Sequence, residues 1–341
     1  MGTATTRAGT IMNEKPIRVV SLFSGCGGMD LGILGGFEFN GRRYRKLATE
    51  IVHSSDFDER VIKIFNQNFE HQASVLDVRN LKGSSLPRFD ILTGGFPCQS
   101  FSISAQNPKR LGYRDDRGQL FFEIKRLLLE TRPQAFIAEN VKGLLSANKR
   151  EAFPLIIREF EDAGYQVHWT LLNASHYGVP QKRERVFIVG FRNKTASNRF
   201  EFPRPTTVNQ PVPLRLVLED NRLVDENFYF SNRAVQGMRN TKNSRSMNKG
   251  RAQDPTQPCN TVSSHLAKVS LNSTDPVLFV NNRYRMFTPR EVARIQSFPD
   301  SFKLECPKSV AYYGLGNAVP PVLMWHVSQA VIKALRPTSN R

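Results

Sequence analysis

The sequence predicts an α/β protein, an open and mostly parallel sheet wrapped by helices, with a second, smaller and irregular domain. Three observations carry this prediction. Short strands rich in β-branched and aromatic residues alternate with amphipathic helical segments from Ile17 to about Phe191, the pattern of a wound parallel sheet. A glycine-rich turn directly follows the first strand, where such sheets bring backbone N–H groups close to a bound cofactor. Around Asn193 the composition changes to one rich in Pro, Asn, Arg, Ser and Thr, with only short apolar runs.

Taken in order, Ile17–Phe23 reads as the first strand, Ser24-Gly25-Cys26-Gly27-Gly28 as a glycine loop, and Met29–Leu34 as a short helix. The loop spacing, F-x-G-x-G-G, differs from the dinucleotide pattern G-x-G-x-x-G. A second strand over Glu50–Ser54 leads to Asp56-Phe57. An acid past the second strand can accept both ribose hydroxyls, and an aromatic beside it can stack on a base. Asp56 also has the chemistry of a helix N-cap. Glu59–Phe69 reads as a helix with Val61, Ile62, Ile64 and Phe65 inward, and Ser74–Val78 as a third strand carrying Asp77.

Phe89–Thr93 reads as a buried strand that Gly94 and Gly95 turn sharply, so that Pro97 and Cys98 stand at its carboxyl end. A cysteine there is a candidate nucleophile, because a thiolate attacks electrophilic carbons well; an inert buried thiol is the alternative. Ser102–Gly118 is polar, basic and aperiodic, which suits a functional lid. A helix over Leu120–Glu130 and a strand over Ala135–Ala138 then bring Glu139 to an equivalent strand end. After a helix (Ala152–Ala163) and a strand (Gln166–Leu172), an extended Gln181–Gly190 would put Gln181, Arg183 and Arg185 on one face. Thr288 and Pro289 read as N-cap and first residue of a later helix, and Val322–Leu335 as the last one.

Formal charge is +18, and no acidic residue occurs between Asn227 and Gln253. A polyanion, most often nucleic acid, is the partner this implies. No apolar run approaches the roughly 18 residues of a membrane span. The polar leader, residues 1–15, is expected to be disordered and lacks a signal-peptide centre, which places the chain in the cytoplasm. Four cysteines (Cys26, Cys98, Cys259, Cys306) stand far apart, without zinc-ligand spacing, so free thiols and no metal site are expected.

Together, FSGCGGMDLG (23–32), GGFPCQSFS (94–102), ENV (139–141), QKRERVF (181–187), TPREVARIQSFPDSF (288–302) and GNAVPP (316–321) resemble the motifs of the DNA (cytosine-5) methyltransferases, in that family's order and over nearly the whole chain after Lys15. The GGFPCQ loop and single-chain layout look like the bacterial restriction–modification enzymes. The resemblance implies a Rossmann-like methyltransferase domain that uses S-adenosylmethionine, releases S-adenosylhomocysteine and needs no metal. Phe23, Gly25, Cys26, Gly27 and Gly28 would cradle the cofactor, Asp56 its ribose, and Phe57, Asp77 and Val78 its adenine. Pro97, Asn317 and Val319 would complete the pocket.

By the same resemblance Cys98 would add to carbon 6 of a flipped cytosine, with Glu139 serving nitrogen 3. Arg185 would contact the base and orient Glu139, and Arg183 would help hold the nucleotide. Ser102 and Arg117 would meet the vacated space and the phosphates, with Gln181 also facing DNA. Among the basic residues of the irregular region, Lys242 and Lys249 are expected on phosphates. At least one of Arg233, Arg239 and Arg245 is expected on base edges. The implied division is a leader (1–15), a catalytic and cofactor-binding domain (16–192), a target-recognition domain (193–305) and a returning segment (306–341), acting as a monomer on double-stranded DNA. Two other readings stay open here: the same fold acting on tRNA, and a nucleic-acid-binding protein with an inactive methyltransferase fold. A nicotinamide enzyme is disfavoured by the glycine spacing.

Overall fold

Strand β1 (Ile17–Leu22) lies inside a seven-stranded sheet whose other members are β2 (Thr49–Asp56), β3 (Ser74–Val75), β4 (Ile91–Gly95), β5 (Ala135–Val141), β6 (Gln166–Asn173) and β7 (Glu184–Phe191). The computed structural model describes residues 15–97, 119–239, 251–268 and 275–336. The leader through residue 14 and Cys98, Ser102, Arg117, Lys242, Arg245 and Lys249 lie outside the described residues, as does the rest of 102–118.

The strand order is β3-β2-β1-β4-β5-β7-β6. The first five strands run parallel, while β7 runs antiparallel to both neighbours. Alternation along β1 explains why the sheet has two cores. Ile17 and Val19 face one cluster, and Val20 and Leu22 face the other. Helices α1 (Gly28–Leu34) and α9 (Pro321–Leu335) cover the first face. Helices α3 (Gln119–Thr131) and α4 (Ala152–Asp162) cover the second, through residues such as Phe121, Ile124, Phe153 and Ile156.

Several boundaries move. Gly94 and Gly95 belong to β4, where Gly95 pairs with Glu139, and the turn comes only after them. They stay in the strand because space is short: a Cβ on Gly95 would stand 3.3 Å from a Glu139 carboxylate oxygen. Helix α2 (Glu59–Asn66) stops before Phe69, and Val61, Ile62, Ile64 and Phe65 are its buried residues. Its N-cap is Asp58, whose side chain accepts from the Arg60 N–H, so Asp56 does not serve as the cap. The third strand shrinks to two residues because Asp77 caps a tight turn over Val78–Asn80.

Helices α5 (Lys194–Arg199), α6 (Asn232–Arg239), α7 (Pro289–Ile295) and α8 (Lys308–Asn317) complete the described set. Thr288 caps α7 in a capping box with Glu291. Behind that cap, Arg285 and Glu291 form a doubly bonded ion pair with both side chains 0 % exposed. Residues 193–305 share the core of the sheet domain: Phe200, Leu214, Val262 and Phe287 lie in the same apolar cluster as Ile17 and Ile33.

Candidate active site

The carboxyl ends of the parallel strands converge on one crevice. The registers Leu22↔Ser55, Leu22↔Gly94, Asp56↔Val75 and Gly95↔Glu139 place those ends side by side. Strand β7, running the other way, begins there, so Arg185 enters at the same end as Glu139.

The glycine loop is wound by positive φ angles at Phe23 (53°), Gly25 (55°) and Gly27 (93°). Phe23 adopts this region although a side chain disfavours it; such strain persists where surrounding structure enforces it. Gly28 opens α1 against the carbonyl of Val319, and a Cβ at Gly28 would collide with that oxygen. Asp56 braces the loop from the second strand. One carboxylate oxygen accepts the Gly25 N–H at 3.0 Å and the other accepts the Asp58 N–H at 3.0 Å. Burial raises the Asp56 carboxyl above its ordinary range, and these hydrogen bonds oppose the rise. Beside it Phe57 is 65 % exposed, a bare ring at the rim. Asp77 is ion-paired with Arg79, which holds its carboxyl below the ordinary range.

Val78 turns its side chain into the second core, so only its backbone can serve a ligand. Cys26 is buried, and that burial pushes its thiol up to about 12, away from the thiolate form. Val319 is buried, Asn317 is exposed at the end of α8, and Pro97 is half-buried at the last described residue of its loop.

Glu139 is buried with its Oε1 3.1 Å from the Arg185 Nε. Burial raises the Glu139 carboxyl above the usual carboxylate range, against the pull of Arg185 and then Arg183. A carboxyl held ready to be protonated next to a cation suits proton delivery to a ring nitrogen. Asn140 is the residue that sequence reasoning passed over. Its amide donates to the Phe96 carbonyl at 2.8 Å, two residues before Cys98, and so ties β5 to the nucleophile turn. Its presence in the ENV triplet was the available signal.

Three expectations are corrected. Gln181 does not lie on an open face. It is 0 % exposed, with its amide donating to the Gln296 side chain and the Ile295 carbonyl and its oxygen accepting from the Val262 N–H. Arg183 does not lie on an open strand face. It is buried, and its guanidinium donates to the carbonyls of Val262 and Gly316. The strand is broken at residue 183, so Gln181, Arg183 and Arg185 do not line one exposed face. Arg233 is exposed on α6, whereas Arg251, in the same basic stretch, turns inward to the Asp275 carbonyl.

The family model for C-5 cytosine-specific DNA methylase matches residues 17–333. The chain belongs to this methylase family. Among curated members it is similar to the type II methyltransferase M.FnuDI of Fusobacterium nucleatum, 35 % identical with 94 % of this chain and 95 % of that protein covered. It is also similar to M1.ScrFI of Lactococcus lactis subsp. cremoris, 33 % identical over 95 % of this chain and 80 % of that one. The solved structure of the Entamoeba histolytica methyltransferase EhMeth shares its fold at a TM-score of 0.73 and 17 % identity, over 95 % of this chain and 100 % of that one. The S. pombe Dnmt2 methyltransferase does so at 0.73 and 18 %, over 94 % and 99 %. The methylase is thus a DNA cytosine-5 methyltransferase on the Rossmann-like fold that its sequence motifs implied. No helix among the described residues is long and apolar enough to cross a membrane.

Proposed function

We propose that the chain methylates carbon 5 of a cytosine flipped out of double-stranded DNA, with S-adenosylmethionine as donor, as the modifying half of a restriction–modification pair. The observation that carries the site assignment is Glu139. It is buried, raised toward protonation, held by Arg185 and in register with Gly95, three residues before Cys98.

The crevice suits the donor. The Gly28 approach to Val319 leaves room for backbone contact only, Asp56 offers carboxylate oxygens, and Phe57 presents an open ring. Phe23, Gly25, Gly27 and the backbone of Cys26 and Val78 would line the cradle, with Asp77 toward the adenine and Pro97, Asn317 and Val319 closing it. S-adenosylmethionine supplies an electrophilic methyl that carbon 5 accepts.

Cytosine carbon 5 is too weak a nucleophile unaided. The Cys98 thiolate forms a bond to carbon 6, the ring electrons move toward nitrogen 3, and the Glu139 proton meets the charge there. Arg185 holds Glu139 in place. After methylation water takes the carbon 5 proton, the sulfur–carbon 6 bond breaks to return the Cys98 thiolate, and nitrogen 3 returns its proton to Glu139. Extruding the base costs a few kcal/mol. Ser102, Arg117 and the basic residues Arg233, Arg239, Lys242, Arg245 and Lys249 would offset it through phosphate and base contacts. Residues 193–305 read the target, 16–192 and 306–341 carry the chemistry, and the protein acts as a monomer.

Duplex DNA carrying 5-fluorocytosine tests this, since fluorine cannot leave as a proton does. The wild-type chain becomes covalently trapped in the presence of S-adenosylmethionine, and Cys98→Ala is not trapped yet still binds DNA. Trapping that survives the substitution would place the nucleophile elsewhere. Bisulfite sequencing of plasmid methylated by the chain then reads out the target site.

A further inference from the structure

Two fully buried glutamines link the target-recognition part of the chain to the wall of the cofactor pocket. The Gln181 side-chain oxygen accepts from the Val262 N–H at 3.0 Å, and its amide donates to Gln296 Oε1 at 2.8 Å. Gln296 in turn donates to the carbonyls of Leu315 and Ala318. Ala318 adjoins Val319, whose carbonyl abuts Gly28 at the head of α1. Arg183 makes a parallel tie, from the Val262 carbonyl at 3.2 Å to the Gly316 carbonyl at 3.0 Å. Val262 is therefore held at both its N–H and its C=O. Next to it the Ser263 backbone lies so close to Gly316 that a Cβ there would collide with it. The strand pair Cys259–Asn260 with Gln181–Lys182 anchors the same segment.

We propose that Gln181 and Gln296 are positioning residues, a buried clasp through which DNA held by the recognition segment tightens the cofactor pocket. This rests on the reading that residues 193–305 meet DNA. Apolar packing would hold the two parts together without fixing their register. Amides in a dry interior must keep every partner, so the clasp has few tolerated arrangements and carries displacement from Val262 to Val319. Neither glutamine contacts cofactor or base; each acts through the loop it holds.

The measurement is the affinity of the full-length chain for S-adenosylhomocysteine, by calorimetry, with and without a short duplex carrying the target site read out by bisulfite sequencing. In the wild type the duplex tightens binding by about 5-fold or more, the lower end of ordinary coupling between sites. Gln181→Met, close in volume, lowers that ratio to under about 2-fold while leaving affinity without DNA unchanged. Gln296→Met, which removes the other half of the same clasp, lowers it too and keeps the test open if the first variant does not fold. Melting curves establish that the variants are folded. A wild-type ratio in either folded variant overturns the clasp, as does a ratio near one in the wild type. If the wild-type chain does not methylate duplex DNA at all, the functional reading itself has failed, a separate result.

Discussion

Replacing Asn140 by leucine removes a side-chain hydrogen bond that ties the strand carrying Glu139 to Phe96, at the turn toward Cys98. The volume is nearly kept, so the change is chemical. The Phe96 carbonyl loses its 2.8 Å donor while its residue stays 3 % exposed beside Phe121. An unsatisfied buried acceptor costs about 1–3 kcal/mol. If the turn relieves that cost by shifting, the proposed nucleophile Cys98 would shift with it, and misplacement on the order of 1 Å costs about 10²-fold. The expected result for Asn140→Leu is a single-turnover rate lowered by about 10- to 100-fold, measured as tritium transfer from labelled S-adenosylmethionine. Cofactor affinity should stay within about twofold, because Asn140 touches nothing in the glycine loop. Denaturant unfolding should show a loss of about 1–3 kcal/mol at most. A near-normal methyl-transfer rate in a folded Asn140→Leu protein would refute the reasoning. So would an equal loss of cofactor binding, which would mean that the crevice had collapsed as a whole.

Glu139→Gln should lower turnover by about 10²-fold or more, the usual scale for removing a general acid. Since burial raises the Glu139 carboxyl, its acid form survives to higher pH than a solvated glutamate's. The wild-type single-turnover rate should fall as pH rises through that raised value, and the Gln variant should lack this alkaline limb. Stability follows the same sign: the contribution of a raised carboxyl is complete below the ordinary glutamate range and is lost as pH rises through the folded value. Asp56→Ala should weaken S-adenosylmethionine binding by about 10-fold or more in calorimetry, because it removes a charged acceptor from the ribose and the brace on Gly25. DNA binding without cofactor should be unchanged, and an unchanged cofactor affinity would remove Asp56 from the pocket. Glu291→Gln should destabilise the fold by about 3–5 kcal/mol in denaturant unfolding, since it leaves the Arg285 guanidinium buried without its carboxylate. Replacing both partners, as Arg285→Met with Glu291→Leu, should cost far less than the single change.

Much of the site was legible because strand ends can be located from hydrophobic patterning. The run Ala135–Ala138 placed Glu139, and Phe89–Thr93 placed the cysteine turn, although the strand there extends through both glycines. Thr288 and Pro289 marked their helix correctly because capping chemistry is local. What patterning could not supply was direction into or out of the core. Gln181 and Arg183 are polar and sit among basic residues, so they read as groups facing nucleic acid, and Arg251 lies in a basic stretch of the same kind. Their partners are the backbone of Val262, Gly316 and Asp275, distant in sequence, and only the folded chain shows that those carbonyls and N–H groups need them. Asn140 was missed for the same reason: its partner is a main-chain carbonyl 44 positions away. Asp56 shows the limit in the other direction. Its role as a cap was plausible locally, but Asp58 holds that position, which frees Asp56 to brace the glycine loop.

The reversed direction of β7 has a consequence for how such a chain can change over time. Its last residue, Phe191, pairs with Ala135 and Gln166, at the base of the sheet and far from the crevice. The chain therefore leaves the sheet at the end remote from the Glu139–Arg185 pair, is pinned again where the Thr206 and Thr207 N–H groups donate to the His176 carbonyl and where Phe200 and Leu214 enter the core, and returns to Gln181 at Cys259. The loops between those moorings contribute no residue to the β5–β7 register or to the Glu139–Arg185 pair. A change in those loops would leave in place the Val262 backbone that Gln181 and Arg183 grip.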